Sequence, residues 1–419
     1  MTKSAFRAHA LFVTSWLPEP GTWLATAGIA RRQQLLVDGL LSTGYKLHVL
    51  LMLSPKQYDG TTESARRISE ALQGLWGTDI DVTLCAWKAP TVNRSFWRSY
   101  LYPVFDFRHQ AVLAKYLSPE IISVLKSAIT ENTAVVLCQR LWCVLPVLKA
   151  NSVNAKVFFD MDDIEHIRFS REISQPPIWR LKRLLHLQVL LLMCAEYLAI
   201  KRSMRTFVCS QLDKERLQRL FRHDSVEVLP NAMPLREAGV PANRPTLLIL
   251  GHYDFGANRV GADHFIANVW PLVLNAVPSA CLSVAGANPH FLEAFSASPE
   301  GVHFPGYITD LDQLYTETRI VICPILSGGG TRLKIMEAAA YGRPIVSTSI
   351  GAEGIDLEDG EEIIIADTPR AMADACIRLI NDYSFALQLS LKAKAAIERR
   401  YSRDKIIARL GDLLSGASE

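Results

Sequence analysis

The chain has 419 residues, of which 49% are hydrophobic and 21% are charged, the composition of an ordinary globular protein. This composition excludes intrinsic disorder, a collagen-like repeat and a small disulfide scaffold. Lys and Arg number 45 against 42 for Asp and Glu, so the net charge of +3 gives no sign of nucleic-acid binding.

Short apolar runs alternate with stretches of helical period along the chain. The predicted strands of the first half are 9–16, 46–53, 81–86, 134–138, 155–159, 206–209 and 225–229, with a helix over 29–43. Those of the second half are 246–250, 281–285, 302–304, 320–325, 344–347 and 362–365. This alternation predicts an α/β protein with two doubly wound parallel sheets in tandem. Four prolines and a glycine in 230–245 break helix and strand alike, so we place the interdomain linker there.

Neither the cysteines nor the apolar segments predict a secreted or membrane-spanning protein. The eight cysteines lie mostly in apolar runs without metal or redox spacing, and we interpret them as reduced core thiols. The N-terminus predicts a strand and not a signal peptide. The apolar segment 184–195 is shorter than the roughly 20 residues of a bilayer span, so only surface attachment stays open there. The basic and aromatic segment 94–102 fits either lipid headgroups or a partly buried helix.

The most informative segment, 320–354, has the pattern of strand, glycine loop, helix and strand. Gly328, Gly329 and Gly330 follow the strand, and Thr331 is the predicted N-cap of a helix that continues to Tyr341. Glycines let backbone amides approach an anion at a helix N-terminus, where the helix dipole adds positive potential. The pattern therefore predicts a phosphate site, although a glycine-rich turn with surface charges is the alternative.

Three charged residues strengthen this prediction. Arg332 and Lys334 lie in the predicted first turn of the helix, where a cation opposes the dipole unless a ligand supplies negative charge. Glu337 follows on the same helix. A carboxylate at this distance from a phosphate site can accept hydrogen bonds from ribose hydroxyls.

These residues resemble the nucleotide-binding region of retaining glycosyltransferases with the GT-B fold. The resemblance is to glycosyltransferase family 4, in the branch that carries a GxGTRLKxxEA motif. Residues 248–271 resemble the start of that branch's second domain, with Gly251, Asp254 and Asn258 in matching places. Pro230-Asn231 matches the domain junction, and the DMDDIE stretch at 160–165 resembles the aspartate-rich part of the first domain.

The resemblance implies two Rossmann-like doubly wound domains that face a cleft. The implied acceptor domain is 1–235, the nucleotide-sugar domain is 236–395, and 396–419 is a C-terminal helix that crosses back to the first domain. Donor-binding residues are then Gly251, Asn258, Tyr307, Gly328, Gly329, Gly330, Thr331, Arg332, Lys334 and Glu337. Arg332, Lys334, Glu337, Asp163 and His166 are the expected catalytic residues, with Gly21, Gly28, Asp162, Asp163 and Glu165 on the acceptor side.

The chain departs from the wider family at two points. The family carries two glutamates with seven residues between them, and the first position is Gly329 here, so the donor sugar must be held by other groups, such as the amides of 328–330. The family also has an Arg and a Lys after the first strand of the second domain, where this chain offers only Arg259, out of pattern. From electrostatics we infer that Arg332 and Lys334 neutralise the diphosphate instead.

The acidic stretch of the first half is open to several interpretations. Asp162, Asp163, Glu165 and His166 follow a predicted strand, where α/β sheets place their ligands, so one of them could orient an acceptor hydroxyl. A solvated acidic turn is the alternative. We reject a metal site at Asp160 and Asp162, because helix dipole and basic side chains neutralise the diphosphate in the resembling fold.

We therefore expect a retaining glycosyltransferase that moves a sugar from a nucleotide-diphosphate sugar to a glycan or lipid-linked acceptor in cell-surface polysaccharide biosynthesis. We expect no metal, no other cofactor and no nucleic-acid partner. The expected location is the cytoplasm, with peripheral contact to the inner face of the plasma membrane left open. A non-catalytic sugar-nucleotide-binding partner and a nucleotide-sugar epimerase are the alternatives, whereas no GxGxxG follows the first strand of either half, which disfavours a nicotinamide dehydrogenase.

Overall fold

The computed structural model describes residues 8–18, 28–87, 111–151, 155–174, 182–234, 236 and 239–416. The chain divides into two compact units: residues 1–230 with 404–419 form the first unit, and residues 231–403 form the second. The division falls at the first proline of the proline-rich segment.

The described part of the first unit contains a seven-stranded parallel sheet. Its strands are β1 (His9–Thr14), β2 (Lys46–Leu53), β3 (Asp81–Ala86), β4 (Thr133–Gln139), β5 (Lys156–Asp162), β6 (Arg205–Val208) and β7 (Val226–Val228). The spatial order is β3-β2-β1-β4-β5-β6-β7. The first strand therefore lies inside the sheet, and the direction of winding reverses between β1 and β4.

Helices connect these strands. They are α1 (Gly28–Ser42), α2 (Thr62–Trp76), α3 (Ala111–Ala114), α4 (Pro119–Ala128), α5 (Leu141–Ala150), α6 (Glu165–Ile173), α7 (His186–Arg202) and α8 (Gln211–Phe221), with a 3₁₀ turn at Lys182–Leu185. Four successive β1 residues, Ala10 to Val13, are at most 1% exposed, because a parallel sheet is covered by helices on both faces.

The second unit repeats this plan with six strands among its described residues. They are β8 (Thr246–Leu250), β9 (Cys281–Ala285), β10 (Val302–Gly306), β11 (Ile320–Cys323), β12 (Ile345–Ser347) and β13 (Ile364–Ile365), in the order β10-β9-β8-β11-β12-β13. The helices are α9 (Gly256–Asn268), α10 (Trp270–Ala276), α11 (Glu293–Ala297), α12 (Leu311–Thr316), α13 (Leu333–Ala340), α14 (Pro369–Asn381) and α15 (Tyr383–Arg400). A 3₁₀ turn spans Pro289–Phe291.

The last helix, α16 (Arg403–Ser415), lies almost entirely in the first unit. It packs against α1 so closely that a Cβ atom on Gly39 would stand 2.3 Å from the Leu410 side chain. The prediction of an α/β protein with two Rossmann-like parallel sheets is confirmed.

Helix α7 is longer than the sequence predicted. With the preceding 3₁₀ turn it forms one helical stretch, Lys182–Arg202, whose 21 residues are long and apolar enough to cross a membrane by length and composition. The helix is therefore longer than the apolar run 184–195, since it continues past Glu196 to Arg202. About a third of its most apolar window is buried inside the first unit.

A buried ion pair joins α1 to the centre of the first sheet. Arg32 and Asp160 are both fully buried, and the guanidinium Nη2 lies 2.5 Å from Oδ1 of the carboxylate. Arg32 Nη1 also donates to the carbonyl oxygens of Leu229 and Pro230, at 2.6 and 3.0 Å. Asp160 is thus part of the core, and its pairing ties the end of the first unit to β5.

We predict that Asp160→Ala lowers the free energy of unfolding of the first unit by about 3–5 kcal/mol, because it leaves the Arg32 charge buried and unpaired. Urea denaturation followed by circular dichroism measures this change. The matched control is Glu63→Ala, which breaks the exposed pair with Arg66 and should change stability by about 0.5 kcal/mol or less. Equal effects of the two substitutions would contradict the structural role of the buried pair.

Candidate functional site

The predicted donor residues gather at the carboxyl edge of the second sheet. The direction of winding reverses between β8 and β11, and α/β sheets bind ligands outside the carboxyl ends of such neighbouring strands. Gly251 directly follows β8, and the loop 324–332 connects β11 to α13. The topology therefore places both segments beside each other.

Thr331 is not the N-cap of α13, contrary to the prediction. The helix begins at Leu333, and its N-cap is Arg332, whose side chain makes no capping hydrogen bond. The Thr331 hydroxyl instead accepts a hydrogen bond from Nδ2 of Asn231 at 2.7 Å. Because that partner is 100 residues away in sequence, local capping rules could not have found it.

Three predicted donor residues meet in one arrangement after β8. Lys334 Nζ donates to Oδ1 of Asn258 at 2.8 Å, and Asn258 Nδ2 donates to the carbonyl oxygen of His252 at 3.0 Å. Asn258 also packs on Gly251, where a Cβ atom would lie 3.1 Å from its Cγ. Sequence reasoning missed His252, whose buried Nε2 has no hydrogen-bond partner in the part of the chain that the structure describes.

Arg332 and Lys334 form a cationic centre without a carboxylate. The Arg332 guanidinium donates to the carbonyl oxygens of Gly329 and Gly330. Within the described residues neither cation makes an ion pair with a carboxylate. Burial lowers the pKa of Lys334, and the charge of Arg332 acts in the same direction. An anion bound here would relieve both effects.

Glu337 lies one turn further along α13, where it is buried. Its Oε2 accepts a hydrogen bond from the Tyr315 hydroxyl at 3.3 Å, and the Tyr315 ring stacks on Tyr341 with centroids 4.1 Å apart. Tyr315 was missed because a single tyrosine on a short helix carries no recognisable signal. Tyr307 follows β10 at the same edge of the sheet, two strands from β8.

In the first unit, Arg140 organises the acidic stretch after β5. Its Nη2 lies 2.7 Å from Oδ2 of Asp162, and its Nη1 lies 2.9 Å from Oδ2 of Asp163 and 3.4 Å from Oε1 of Glu165. Burial raises the pKa of Asp162 and of Glu165 in spite of this cation. The stretch is therefore not a solvated turn. Arg140 directly follows β4, and its position at a strand end is the signal that could have identified it.

His166 is held by a buried carboxylate. Glu196, fully buried on α7, accepts from the His166 backbone amide at 3.1 Å and pairs with the imidazole Nδ1. The structure thus brings Asp162, Asp163, Glu165 and His166 together at the start of α6.

Gly28 begins α1, and Gly21 lies outside the described residues, as does the segment 94–102.

Part of the chain matches a glycosyltransferase family in sequence. Residues 244–382 match the family model described as "Glycosyl transferases group 1". A curated protein from Klebsiella pneumoniae, described as "Uncharacterized 44.6 kDa protein in cps region", is 23% identical over 188 residues. That match covers 43% of this chain and 48% of the relative, so it spans about half the length of the curated protein.

Solved structures show the same fold over nearly the whole chain. Sucrose-phosphate synthase from Thermosynechococcus elongatus is 14% identical with a TM-score of 0.68, covering 98% of this chain and 99% of that one. TarM gives a TM-score of 0.69 at 12% identity, with 98% and 99% covered. Anabaena Alr3699/HepE in complex with UDP and glucose gives 0.61 at 14%, with 98% and 100% covered. The predicted GT-B fold is confirmed, and the family match supports a glycosyltransferase, which is a transferase enzyme.

The position of Gly251 depends on a close backbone approach by Gly286. Gly286 follows β9 with φ +130°, and a Cβ atom there would stand 1.7 Å from the Gly251 carbonyl oxygen. Any side chain at Gly286 must therefore push the end of β8 away from Asn258.

We predict that Gly286→Ala destabilises the second unit by about 2 kcal/mol or more, since it adds both a steric clash and backbone strain. Thermal unfolding measures the loss. Gly256→Ala is the matched control in the same region, because a Cβ atom at Gly256 meets nothing within 4 Å and should leave the melting temperature nearly unchanged. A Gly286→Ala protein as stable as this control would contradict the close approach.

Proposed function

We propose that the protein is a retaining glycosyltransferase of family 4, which transfers a sugar from a nucleotide-diphosphate sugar to a glycan or lipid-linked acceptor. The proposed pathway is cell-surface polysaccharide biosynthesis, which agrees with the "cps region" in the description of the Klebsiella pneumoniae relative. The proposed setting is the cytoplasm, at the inner face of the plasma membrane.

The cationic centre of Arg332 and Lys334 carries this proposal. Cations that are partly withdrawn from water are normally paired with carboxylates, because loss of hydration destabilises an unpaired charge. Here two cations lie at the N-terminus of α13 and donate only to an amide oxygen and to backbone carbonyls. A diphosphate fits this environment, because it supplies the missing negative charge at the positive end of a helix dipole.

Glu337 and His252 extend the proposed donor site. The Glu337 carboxylate is a hydrogen-bond acceptor on the same helix as the two cations, and ribose hydroxyls are suitable donors to it. The buried His252 Nε2 offers a further polar contact beside Asn258. We propose uridine as the nucleoside of the donor, because HepE is described in complex with UDP and the pneumococcal O-GlcNAc transferase GtfA in complex with UDP and GlcNAc.

The proposed reaction breaks the bond between the anomeric carbon and the diphosphate oxygen, and a bond to the acceptor oxygen forms on the same face of the sugar. The acceptor proton passes to the departing phosphate, so the products are a glycoside and a nucleoside diphosphate. Arg332, Lys334 and the amides of 328–331 stabilise the charge that develops on the leaving group. This scheme requires neither a protein nucleophile nor a metal ion, since the two cations already supply the positive charge.

The first unit supplies the acceptor side in this proposal. The carboxylate of Asp163 and the imidazole of His166 stand at the carboxyl edge of the first sheet, where Arg140 and Glu196 fix their orientation. The carboxylate can accept a hydrogen bond from an acceptor hydroxyl, and the imidazole can accept a hydrogen bond from that hydroxyl or donate one to it. We propose that they orient that hydroxyl, with Asp162 and Glu165 as supporting carboxylates.

We predict that UDP raises the melting temperature by about 5 °C or more at roughly one hundred times its Kd, because only the folded protein binds it. GDP and ADP should shift it less. Glu337→Ala should weaken UDP binding about tenfold or more through lost ribose contacts. Tyr315→Phe is the matched control, because it removes the hydroxyl and keeps the Glu337 carboxylate. Absence of a shift with every nucleotide would refute the donor site.

We predict that Arg332→Ala and Lys334→Ala together reduce the transfer rate about 100-fold or more, because the leaving group loses its charge stabilisation. Release of UDP from UDP-sugars in the presence of acceptor glycans measures the rate. The matched control removes two exposed cations of the same unit, Arg370 and Lys392, and should retain the wild-type rate.

The pH dependence of UDP binding shows how much of the affinity depends on the positive charge of Lys334. A diphosphate binds the protonated form of Lys334, so affinity is present below the lowered pKa of this lysine and is lost as the pH rises through it. In Lys334→Arg the charge persists, and binding should survive at higher pH.

UDP binding without turnover for any acceptor would favour the non-catalytic binding partner, and sugar interconversion without an acceptor would favour an epimerase.

A further inference from the structure

Helix α7 has an unusual distribution of side chains. Its inner face contains Gln188 and Glu196, which are buried, beside Leu192 and Ala199 of the core. Its outer face contains large apolar residues. A helix on the surface of a water-soluble unit normally has the opposite arrangement, with charged residues outside.

The outer residues form one continuous stripe along the helix. We call the exposed side chains Leu184, Leu187, Leu190, Cys194 and Tyr197 the outer stripe of α7. Their spacing of three and four residues places them on one side of the helix. Leu190 is 59% exposed and Leu184 is 45% exposed. A contiguous apolar stripe of this kind indicates an interaction surface rather than scattered exposure.

Basic residues stand at both ends of this stripe. Lys182 and Arg183 precede it, and Lys201 and Arg202 follow it. The sole carboxylate of Lys182–Arg202 is Glu196, which is buried on the opposite face against His166. The outer face therefore has an apolar centre and positively charged ends, which lie about 27 Å apart along the helix.

We propose that the outer stripe of α7 docks the first unit onto an anionic lipid surface. The helix lies in the plane of the interface, its leucines enter the boundary between headgroups and acyl chains, and the basic ends contact lipid phosphates. The helix does not span the bilayer, because it connects α6 to β6 within the first sheet and its inner face belongs to the core. This inference rests on the proposed function in one respect: the membrane is where the protein would meet a lipid-linked acceptor.

Vesicle flotation with the full chain tests this surface. We expect the protein to float with vesicles of phosphatidylcholine and phosphatidylglycerol and to float less with phosphatidylcholine alone. Leu187→Asp with Leu190→Asp should reduce the bound fraction about tenfold or more. Leu272→Asp with Leu391→Asp is the matched control, since these exposed leucines lie in the second unit, and it should float like the wild type.

A second pair of variants tests the charge. Lys201→Ser with Arg202→Ser should weaken binding to the anionic vesicles by roughly fivefold or more per residue, and added salt should weaken wild-type binding in the same direction. Arg370→Ser with Lys392→Ser is the control. Unchanged melting temperatures in all variants show that the fold is retained.

Three results would overturn the proposal. These are a wild-type protein that does not float, an outer-stripe variant that floats as well as wild type, and a wild-type dimer that becomes a monomer in that variant, which would make the stripe a subunit interface. UDP binding gives the independent readout. Flotation without a UDP shift contradicts the proposed function and leaves the lipid surface standing, whereas a UDP shift without flotation does the reverse.

Discussion

Buried arginine charge must be satisfied by carboxylates or by backbone oxygens, and both units depend on this constraint. In the first unit, Arg32 contacts one carboxylate and two backbone carbonyls, and Arg140 contacts three carboxylates. Each arginine joins strands and helices that are far apart in sequence. Removal of charge from water costs several kcal/mol per ion, so these arginines fix the packing around them.

In the second unit the buried arginines Arg319 and Arg343 donate to backbone carbonyls instead of carboxylates. Arg319, which is also buried, meets the carbonyl oxygens of Leu379 and Ile380 and so completes the end of α14. Arg332 and Lys334 have no comparable structural task. Their amide and carbonyl partners position them without neutralising them, which is the arrangement expected when the counter-charge arrives with a ligand.

Backbone strain marks the corresponding edge of the first sheet. Arg140 has φ +78° and Asp162 has φ +58°, which are left-handed conformations that cost non-glycine residues free energy. These residues follow β4 and end β5, and their side chains form an ion pair. The pair holds two strained strand ends together, and it places Asp163 and Glu165 at the edge where the proposed acceptor hydroxyl is oriented.

The sequence predicts the strands well, because the apolar runs of a doubly covered parallel sheet are long and uninterrupted. It also predicts the glycine loop, because three successive glycines directly after a strand are typical of a loop that lets the backbone approach a ligand closely. It fails where the partner comes from elsewhere in the chain. Thr331 accepts a hydrogen bond from Asn231, and the acidic stretch pairs with Arg140. Glu196 lies on the inner face of its helix, where it accepts a hydrogen bond from the backbone amide of His166. Local periodicity carries no information on such pairs.

Gly329, at the position where the resembling family has its first glutamate, is consistent with the same electrostatic argument. Arg332 turns back over the loop, and its guanidinium lies so close to Gly328 that a Cβ atom there would stand 2.8 Å from Nη2. A glutamate at position 329 would stand beside this guanidinium and pair with it. The charge available to a diphosphate would then fall. With glycine at 329, the guanidinium of Arg332 donates to backbone oxygens, and no carboxylate of the loop competes with the proposed diphosphate for it.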